Sequence, residues 1–587
     1  MIVYGDQRRR ESATGKLDGI RTLLEQAGQG PRGIAAHARL VAALIEAGEL
    51  AQGLLDACCD AAGGRDAASH EGAAAMALAT ALARACARSW TAGFALERVD
   101  VDAALAGCAA ATAPACIEVR QPEGYAFYAL YPEAYLAAAL PLARARWQVV
   151  GLRSIGTSLA AMVSVGLDAG PPCTVRPAGP PFDRQLPVAS LPADDGRCHW
   201  AVVDEGPGLS GSSLAAVVRA LRAQAVAPSR IHLFPGHARG PGPRASVRVR
   251  ELWAQASSHH VGFDALVLQA REPAHRLHGW VEQLIGPLHG PLMDISGGRW
   301  RGAAGELRSE APPAHPWQER RKFLARDQAG NSWLVKFIGL GSGARRSHVC
   351  ARTLAQAGFC PAPAGVCHGF VVERWHGEME RLSPDRVSLP RSRSRWIERL
   401  QQYIAFRARS FPAPDLGGAS LQALHDMGRS NSIEALGASW SQPWNRHADW
   451  PARLQARVRR IVTDNRMQVW EWLYSQRTIL KTDAVDHHAG HDLVGCQDPA
   501  WDVAGAIVEF ALSADEQARL LAGLAARGCA VDPGLLAFCL RSYPAFQLGH
   551  FRLAAEDAAN GAEKERLGAH AERYARCLSA QLCRSWD

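Results

Sequence analysis

Two adjacent carboxylates and a loop rich in glycine and serine follow an apolar run in VVDEGPGLSGSSL, residues 202–214. Backbone N–H groups in such a loop and at the start of the next helix are unpaired, so a phosphate placed there gains hydrogen bonds and the favourable helix dipole. Asp204 and Glu205, at the carboxyl end of a strand, are placed to hold two vicinal ribose hydroxyls. We therefore predict a ribosyl-phosphate site here. Its phosphate-binding residues are Ser210, Gly211, Ser212 and Ser213.

A second segment, VVGLRSIGTSLAAM (149–162), repeats this order of apolar strand, small polar loop and helix. Two such loops suit a ligand that carries phosphate at both ends. Arg153 is suited to the charge of a pyrophosphate, because its guanidinium offers several donors in a fixed geometry. The predicted second loop consists of Arg153, Ser154, Gly156, Thr157 and Ser158.

Together the two loops resemble those of the type I phosphoribosyltransferase family, over about residues 115–270. In that family two acidic residues precede a short loop with a Ser-Gly or Thr-Gly pair and another small hydroxyl residue. The resemblance implies binding of phosphoribosyl pyrophosphate with Mg²⁺, transfer to or from a base-like small molecule, and catalytic roles for Asp204 and Glu205. Four residues, Gly206 to Leu209, separate the acids from Ser210, where the family usually has three.

A lysine in the C-terminal half lies on the second strand of a predicted hairpin, KFLARDQAGNSWLVKFIGLG, and a helical segment follows it. This arrangement resembles the small lobe of the aminoglycoside and choline kinase family, in which such a lysine, here Lys336, grips nucleotide phosphates. GFVVERWHGE (369–378) resembles the strand that joins the lobes. The resemblance implies a bilobal α+β module that uses ATP and Mg²⁺.

The segment TILKTDAVDHHAGHDLVGCQDPAWDVAGAIVEF (478–510) resembles the catalytic segment of that family. By this resemblance Asp483 is the catalytic aspartate, and His488 and Asp498 are metal ligands. The family's His-Gly-Asp is Lys-Thr-Asp here. Two other interpretations remain open for the polar residues of this segment, a separate metal cluster and a solvated polar loop, and the second is favoured. They comprise Asp486, His487, His488, His491 and Asp492.

The helices and strands predicted around these residues indicate a multidomain α/β protein. Apolar positions recur every three or four residues from about 15 to 110, which indicates helices that form a cap or a homodimer interface. Short apolar runs that alternate with loops and helices then favour a largely parallel sheet. The predicted strands up to residue 270 are CIEVR, YAFYALY, WQVVGL, TVRP, HWAVVDE, IHLFPGH and FDALVLQA, and those after it are LMDISGGRWRG, RRKFLARDQ, SWLVKFIGLG and GFVVERW.

These elements divide the chain into four parts. A helical segment covers 1–112, a phosphoribosyltransferase-like domain 113–272, a helical connection 273–292 and a kinase-like domain 293–587. Three tyrosines near the start of the second part are candidates to stack on a planar base, although packing is the commoner role. They are Tyr125, Tyr128 and Tyr131.

Composition excludes several other classes of protein. The 15 cysteines contain no C-x-x-C spacing, which argues against a zinc ribbon. The formal net charge of +8 is spread along the chain, without a basic stripe interleaved with aromatic residues, so we expect no nucleic-acid partner. The N-terminus lacks a secretory apolar segment, and residues 73–87 carry Arg84, so we expect a cytoplasmic protein with no membrane span.

Two functions follow from these residues. The first is phosphoribosyl transfer, with ATP-dependent phosphorylation of a related metabolite by the C-terminal module. The second is a sensor of phosphoribosyl pyrophosphate or a nucleotide that does not catalyse transfer and instead controls the kinase-like module or a partner. The longer loop at Gly206 favours the sensor, and the acid pair with its two loops favours the enzyme.

Overall fold

The structure is a computed structural model of the 587-residue chain. It describes residues 1–5, 8–64, 66, 69–95, 100–113, 116–180, 182–305, 311–316, 318–383, 390–413 and 417–584, with the backbone alone at 390–392. Within these residues no helix has the length and apolar character needed to cross a membrane.

Helices and strands alternate along much of the chain, and the fold is mixed α/β. The helices are α1 Ala13–Gln29, α2 Ile34–Ala61, α3 His70–Thr91, α4 Asp102–Ala111, α5 Glu123–Phe127, α6 Pro132–Ala139, α7 Gly156–Gly166, α8 Ser212–Ala223, α9 Val247–Gln255, α10 Leu277–Ile285, α11 Trp300–Ala303, α12 Gly341–Gln356, α13 Pro390–Ser410, α14 Leu421–Leu436, α15 Gln442–Arg446, α16 Trp450–Gln455, α17 Ala500–Glu509, α18 Ala514–Ala526, α19 Pro533–Asp557 and α20 Gly561–Leu582. The strands are β1 Arg8–Ser12, β2 Cys116–Arg120, β3 Trp147–Leu152, β4 Cys173–Val175, β5 His199–Val203, β6 Ile231–Phe234, β7 Ser257–Ser258, β8 Met293–Asp294, β9 Lys322–Arg326, β10 Ser332–Phe337, β11 Pro363–Cys367, β12 Phe370–Arg374, β13 Glu380–Arg381, β14 Trp472–Tyr474 and β15 Ile479–Lys481.

A five-stranded parallel sheet has the order β4-β3-β5-β6-β7. Its strands are apolar at consecutive positions because both faces are covered. Val149 and Val203 pack in one core, and Val150, Val202 and Leu233 pack in another with α8. The chain leaves β3 toward β4 on one side, and β5 lies on the other, so the loops after β3 and β5 meet at the point where open α/β sheets bind ligands.

Two further sheets belong to the C-terminal half. An antiparallel sheet has the order β11-β12-β10-β9-β8, and a three-stranded sheet has the order β13-β14-β15. The chain crosses from the first to the second within residues 375–379, between β12 and β13. The remaining helices surround a core that includes Trp444, Trp501 and Tyr543. The result is a small β-rich lobe and a large helical lobe.

The N-terminal helices share a core with their neighbours in the fold. One hydrophobic cluster joins Leu44 of α2, Leu82 of α3, Met162 of α7, Val203 of β5 and Phe370 of β12. Helices α2 and α3 therefore cover one face of the parallel sheet and also reach the small lobe. This core is continuous across residues 112, 272 and 292, and the predicted division of the chain at these three points remains a prediction.

Four predicted strands were wrong in type, partner or extent. YAFYALY forms α5 and a turn, and FDALVLQA contains a π-helical turn at Asp264–Leu268. CIEVR is strand β2, but it pairs antiparallel with β1 and lies outside the parallel sheet. LMDISGGRWRG forms the two-residue β8, a turn and α11.

Candidate functional site

The acid pair lies at the carboxyl end of β5, beside the loop that follows β3. Burial raises the pKa of Asp204 to about 7, although its carboxylate accepts the N–H groups of Glu205 and Gly206. Burial and the charges of Glu123 and Asp204 raise the pKa of Glu205 well above its ordinary value. Glu205 accepts the N–H of Gly124 at 2.6 Å, and a Cβ added to Gly124 would lie 2.6 Å from Glu205 Oε2. This carboxylate is therefore held against α5.

The glycine- and serine-rich loop is closed by its own hydrogen bonds. Gly211, at φ 63°, donates its N–H to Pro207 O at 2.8 Å. Ser212 donates its backbone N–H to Ser210 Oγ at 3.3 Å, and the two hydroxyls lie 3.0 Å apart. Ser210 and Ser212 are buried, while Ser213 is partly exposed. Ser213 is therefore the most accessible of the four predicted phosphate ligands.

The predicted pyrophosphate loop is covered by α2. Arg153 is buried, and its guanidinium forms ion pairs with Asp56, at 3.1 Å, and with Asp66. Thr157 and Ser158 are also buried. Pyrophosphate binding by this loop remains a prediction, and two carboxylates of the N-terminal segment already surround the Arg153 guanidinium.

The close approach of α2 explains the burial of the hydroxyl residues in this loop. A Cβ added to Gly48 of α2 would lie 2.7 Å from Ser158 Cβ, so glycine permits the contact. Ser158 Oγ also lies 2.8 Å from the Tyr125 hydroxyl. Of the remaining loop residues, Gly156 packs against Val203 O, and Ser154 is partly exposed.

Two of the three tyrosines proposed to stack on a base are packing residues. Tyr125 and Tyr131 are both 1 % exposed, and Tyr131 donates its hydroxyl to His368 O at 2.7 Å. Tyr128 is 49 % exposed, and its hydroxyl is hydrogen-bonded to His491 Nε2. The expectation of base stacking is therefore corrected for Tyr125 and Tyr131.

The second candidate site forms where β10 of the small lobe faces the segment after β15. Lys336 Nζ forms an ion pair with Asp483 and lies 3.5 Å from Asp486 Oδ1. Burial acts to lower the pKa of Lys336, but Asp483 and Asp486 raise it above its ordinary value. Arg320 lies 3.0 Å from Asp486 Oδ2. Two carboxylates and two cations thus meet between the lobes.

A third aspartate lies in the loop before β14. The N–H groups of Asp464 and Asn465 donate to the carboxylate of Asp502 at 2.8 and 2.9 Å. The Asp464 carboxylate lies 3.4 Å from Lys481 Nζ and 3.5 Å from His487 Nδ1. Asp464 was not predicted from the sequence. The available signal was V-T-D-N, followed by the apolar hairpin that ends at Lys-Thr-Asp483.

His487 bridges the two aspartates that flank this hairpin. Its Nε2 lies 3.7 Å from Asp483 Oδ2, and its Nδ1 faces Asp464. Burial acts to lower the pKa of His487, but Asp483 and Asp464 raise it to about 9. One ligand atom from each of Asp483, Asp486 and His487 lies within 4.8 Å of the others.

The two predicted metal ligands lie elsewhere. Asp498 accepts the N–H groups of Arg459 and Ala500, both at 2.9 Å, and so fixes the start of α17. His488 is buried, and burial lowers its pKa to about 3. Neither is among the described residues that line the cleft with Asp483. Asp486, one of the residues of the alternative polar cluster, does line this cleft.

These groups open into a cleft of about 810 Å³ between the lobes. Its walls include the crossing segment 375–379, which is the position expected for a strand that joins two lobes. Burial raises the pKa of Glu373, at the end of β12, to about 7. The charged or titratable side chains among the described residues that line the cleft include Lys336, Glu373, Arg466, Glu471, Asp483, Asp486, His487 and Asp492.

No family model and no curated protein matches this chain. Solved structures do match, and they include kinases and phosphotransferases. The choline kinase LicA from Streptococcus pneumoniae is 14 % identical with a TM-score of 0.33, and the match covers 44 % of this chain and 89 % of that protein. A choline/ethanolamine kinase family protein from Mesorhizobium loti is 17 % identical with a TM-score of 0.33, covering 54 % and 95 %. The macrolide 2′-phosphotransferase MphH from Brachybacterium faecium is 15 % identical with a TM-score of 0.31, covering 50 % and 96 %.

Proposed function

We propose that this chain transfers a phosphoryl group from ATP to a hydroxyl group of a small molecule in the cleft between its small and large lobes. One observation carries the proposal: Lys336 of the small lobe meets Asp483 and Asp486 of the large lobe at the wall of this cleft. Phosphoryl transfer needs a cation on the nucleotide phosphates and carboxylates that hold Mg²⁺, and little covalent chemistry from the protein.

The side chains present fit Mg²⁺. Carboxylate oxygens are the ligands that Mg²⁺ prefers, and Asp483 and Asp486 offer two within 4.8 Å of each other. When bound, Mg²⁺ neutralises charge on the phosphates during transfer. His487 Nε2 lies 3.7 Å from Asp483 Oδ2, so this imidazole is placed to contact phosphate oxygens beside the carboxylates. Asp464 is a positioning residue, since it is buried behind His487.

The test measures ADP formation from ATP and Mg²⁺ with a panel of amino alcohols, sugars and nucleosides. We expect Lys336→Met and Asp483→Asn each to lower turnover at least about 100-fold, because each removes a charge that the transferring phosphate requires. Lys564→Met, an exposed lysine on α20, is the matched control. Full activity in Lys336→Met and Asp483→Asn would refute the proposal.

A second function concerns the loops at β3 and β5. The acid pair at the point where the sheet order reverses favours a ribosyl phosphate ligand, with phosphoribosyl transfer to a base-like acceptor as the associated reaction. Arg153 could hold a pyrophosphate only after its ion pairs with Asp56 and Asp66 are broken. This arrangement favours binding without turnover, which is the sensor function, over transfer.

Phosphoribosyl pyrophosphate binding and pyrophosphate release across a panel of bases separate these possibilities. We expect wild type to bind and Asp204→Ala to lose binding by at least about tenfold, since a buried charged hydrogen bond contributes about 1.5–3 kcal/mol. Asp195→Ala, on an exposed turn outside the loop, is the control. Release of pyrophosphate with any base would support transfer, and equal binding by Asp204→Ala would exclude the site.

A further inference from the structure

Two histidines and one glutamate from three parts of the chain meet in the interior. His37 belongs to α2, Glu133 to α6 and His368 to the turn between β11 and β12. Glu133 Oε1 lies 2.7 Å from His37 Nε2 and 2.8 Å from His368 Nε2. The side chains of His37 and Glu133 are 0 % exposed and that of His368 is 1 % exposed.

The surroundings of this cluster are apolar. Trp90 and Phe94 pack beside His37, while Tyr131 and Trp280 pack beside His368. Among the described residues no lysine or arginine forms an ion pair with Glu133, and its Oε2 atom has no hydrogen-bond partner. Burying a carboxylate without a full counter-charge costs free energy, so a cation bound to Glu133 would stabilise the folded protein.

The histidines are arranged as ligands often are. Ser89 Oγ lies 3.0 Å from His37 Nδ1, and a hydrogen bond there fixes which ring nitrogen faces the carboxylate. The two imidazoles and the carboxylate form a ligand set within 4.8 Å.

We propose that His37 Nε2, His368 Nε2 and the Glu133 carboxylate bind a divalent transition-metal ion of the Zn²⁺ class. Imidazole nitrogen with carboxylate oxygen suits such an ion, with metal–ligand distances of about 2.0–2.2 Å. Ligand atoms around a tetrahedral ion lie about 3.3 Å apart, so the present contacts must widen by roughly 0.5 Å.

A metal ion here would fasten the N-terminal helices, the parallel-sheet region and the small lobe to one another. Because the site is closed to solvent, the ion must enter before folding is complete. None of its three residues is among the described residues that line the cleft between the lobes. The metal site is therefore structural and independent of the proposed phosphoryl transfer.

Metal content of the purified full chain tests the proposal. We expect about one Zn²⁺ per wild-type chain by mass spectrometry after gel filtration in metal-free buffer, and less than about a tenth of that in His368→Gln and Glu133→Gln. His278→Gln, a half-exposed histidine on α10, should retain the wild-type content. Should the cluster variants fail to fold, wild type unfolded and refolded with Co²⁺ should show the visible absorption of four-coordinate cobalt.

Two results would overturn this site. Wild type that holds no metal as purified, and none after refolding with Zn²⁺ or Co²⁺, would show that the three residues form a hydrogen-bonded network alone. Undiminished metal in soluble His368→Gln would place the ion elsewhere. Wild type that holds the metal but shows no phosphoryl transfer would count against the proposed function and leave this site intact.

Discussion

Asp502 provides a test of how the loop at Asp464 is held. Its side chain is 0 % exposed, and its two oxygens accept the N–H groups of Asp464 and Asn465. Burial, with the charge of Asp464, raises its pKa to about 6. Asp502→Asn keeps the shape but offers one acceptor oxygen, so one buried N–H loses its partner at a cost of about 1–3 kcal/mol.

The same substitution changes how stability depends on pH. An aspartate in the unfolded chain ionises near pH ~3.9, so between about pH 4 and 6 the folded protein binds more protons and the free energy of unfolding falls as pH rises. The two pKa values correspond to about 3 kcal/mol in total, of which about 1.4 kcal/mol falls between pH ~5 and ~8. Because Asn does not titrate, the variant should gain about 1.4 kcal/mol relative to wild type over that range.

Urea unfolding of both proteins at about pH 5 and pH 8 measures this difference, with hydrogen exchange of α17 peptides to locate it in the large lobe. Asp426→Asn, whose side chain is 62 % exposed on α14, is the control and should show no such trend. A difference between wild type and Asp502→Asn that stays constant with pH would refute the buried, ionised aspartate. Phosphoryl transfer by the variant should fall at least about tenfold at both pH values, since its loop is no longer held at both N–H groups.

Other predictions concern the large lobe. Gly428→Ala should lower the free energy of unfolding by about 1–3 kcal/mol, because the added Cβ would lie 2.3 Å from the Trp444 ring, while Gly568→Ala, with open space on α20, should raise it by about 0.5–1 kcal/mol. Urea midpoints measure both changes in the free energy of unfolding, and equal changes in the two variants would contradict the close contact between Gly428 and Trp444. The pKa of Glu516 is lowered to about 2 by its hydrogen bond with Arg393, so the stability that Glu516 contributes is present above pH ~4.3 and is lost as pH falls toward 2. Glu516→Gln should therefore cost about 1 kcal/mol at neutral pH and progressively less in acid, and a pH-independent loss would contradict this origin.

Local sequence patterns predicted the strands of the parallel sheet, which are buried on both faces. Val149 to Leu152 and Trp200 to Val203 are apolar without interruption, and each ends in a loop rich in small residues, which is sufficient to identify β3 and β5. The strand predicted at the aromatic run around Tyr125 was wrong, because the N–H of Gly124 donates to the distant Glu205 and a short helix forms there. A tertiary hydrogen bond prevailed over β propensity.

The candidate sites were predictable where their residues are neighbours in the chain. Asp204 and Glu205 are adjacent, and Lys336 follows from its hairpin. Pairs that join distant segments left no sequence signal: nothing at Arg153 indicates that Asp56 and Asp66 will bind it. Which side chains of the segment 478–510 face the cleft also depended on where its loop turns, which composition alone does not determine.

The short helix α5 contacts both candidate sites. At one end the N–H of Gly124 donates to Glu205, beside the acid pair of β5. The neighbouring Glu123 forms an ion pair with His491 of the large lobe at 3.0 Å. Because α5 has only five residues, we expect a ligand that displaces Glu205 to shift the whole helix relative to the large lobe.

The other end of α5 lies at the cleft between the lobes, which Phe127 lines. Arg320 lies over the Phe127 ring at 4.6 Å and forms an ion pair with Asp486 at 3.0 Å. We therefore expect phosphoribosyl pyrophosphate to change the affinity of the cleft for ATP, and ATP to change the affinity for phosphoribosyl pyrophosphate by the same factor, about 5-fold or more. Calorimetric titration of each ligand with and without the other measures both factors. Phe127→Ala should reduce them, because it removes the ring against which Arg320 is held, and identical affinities in the presence and absence of the second ligand would show that α5 is a passive contact.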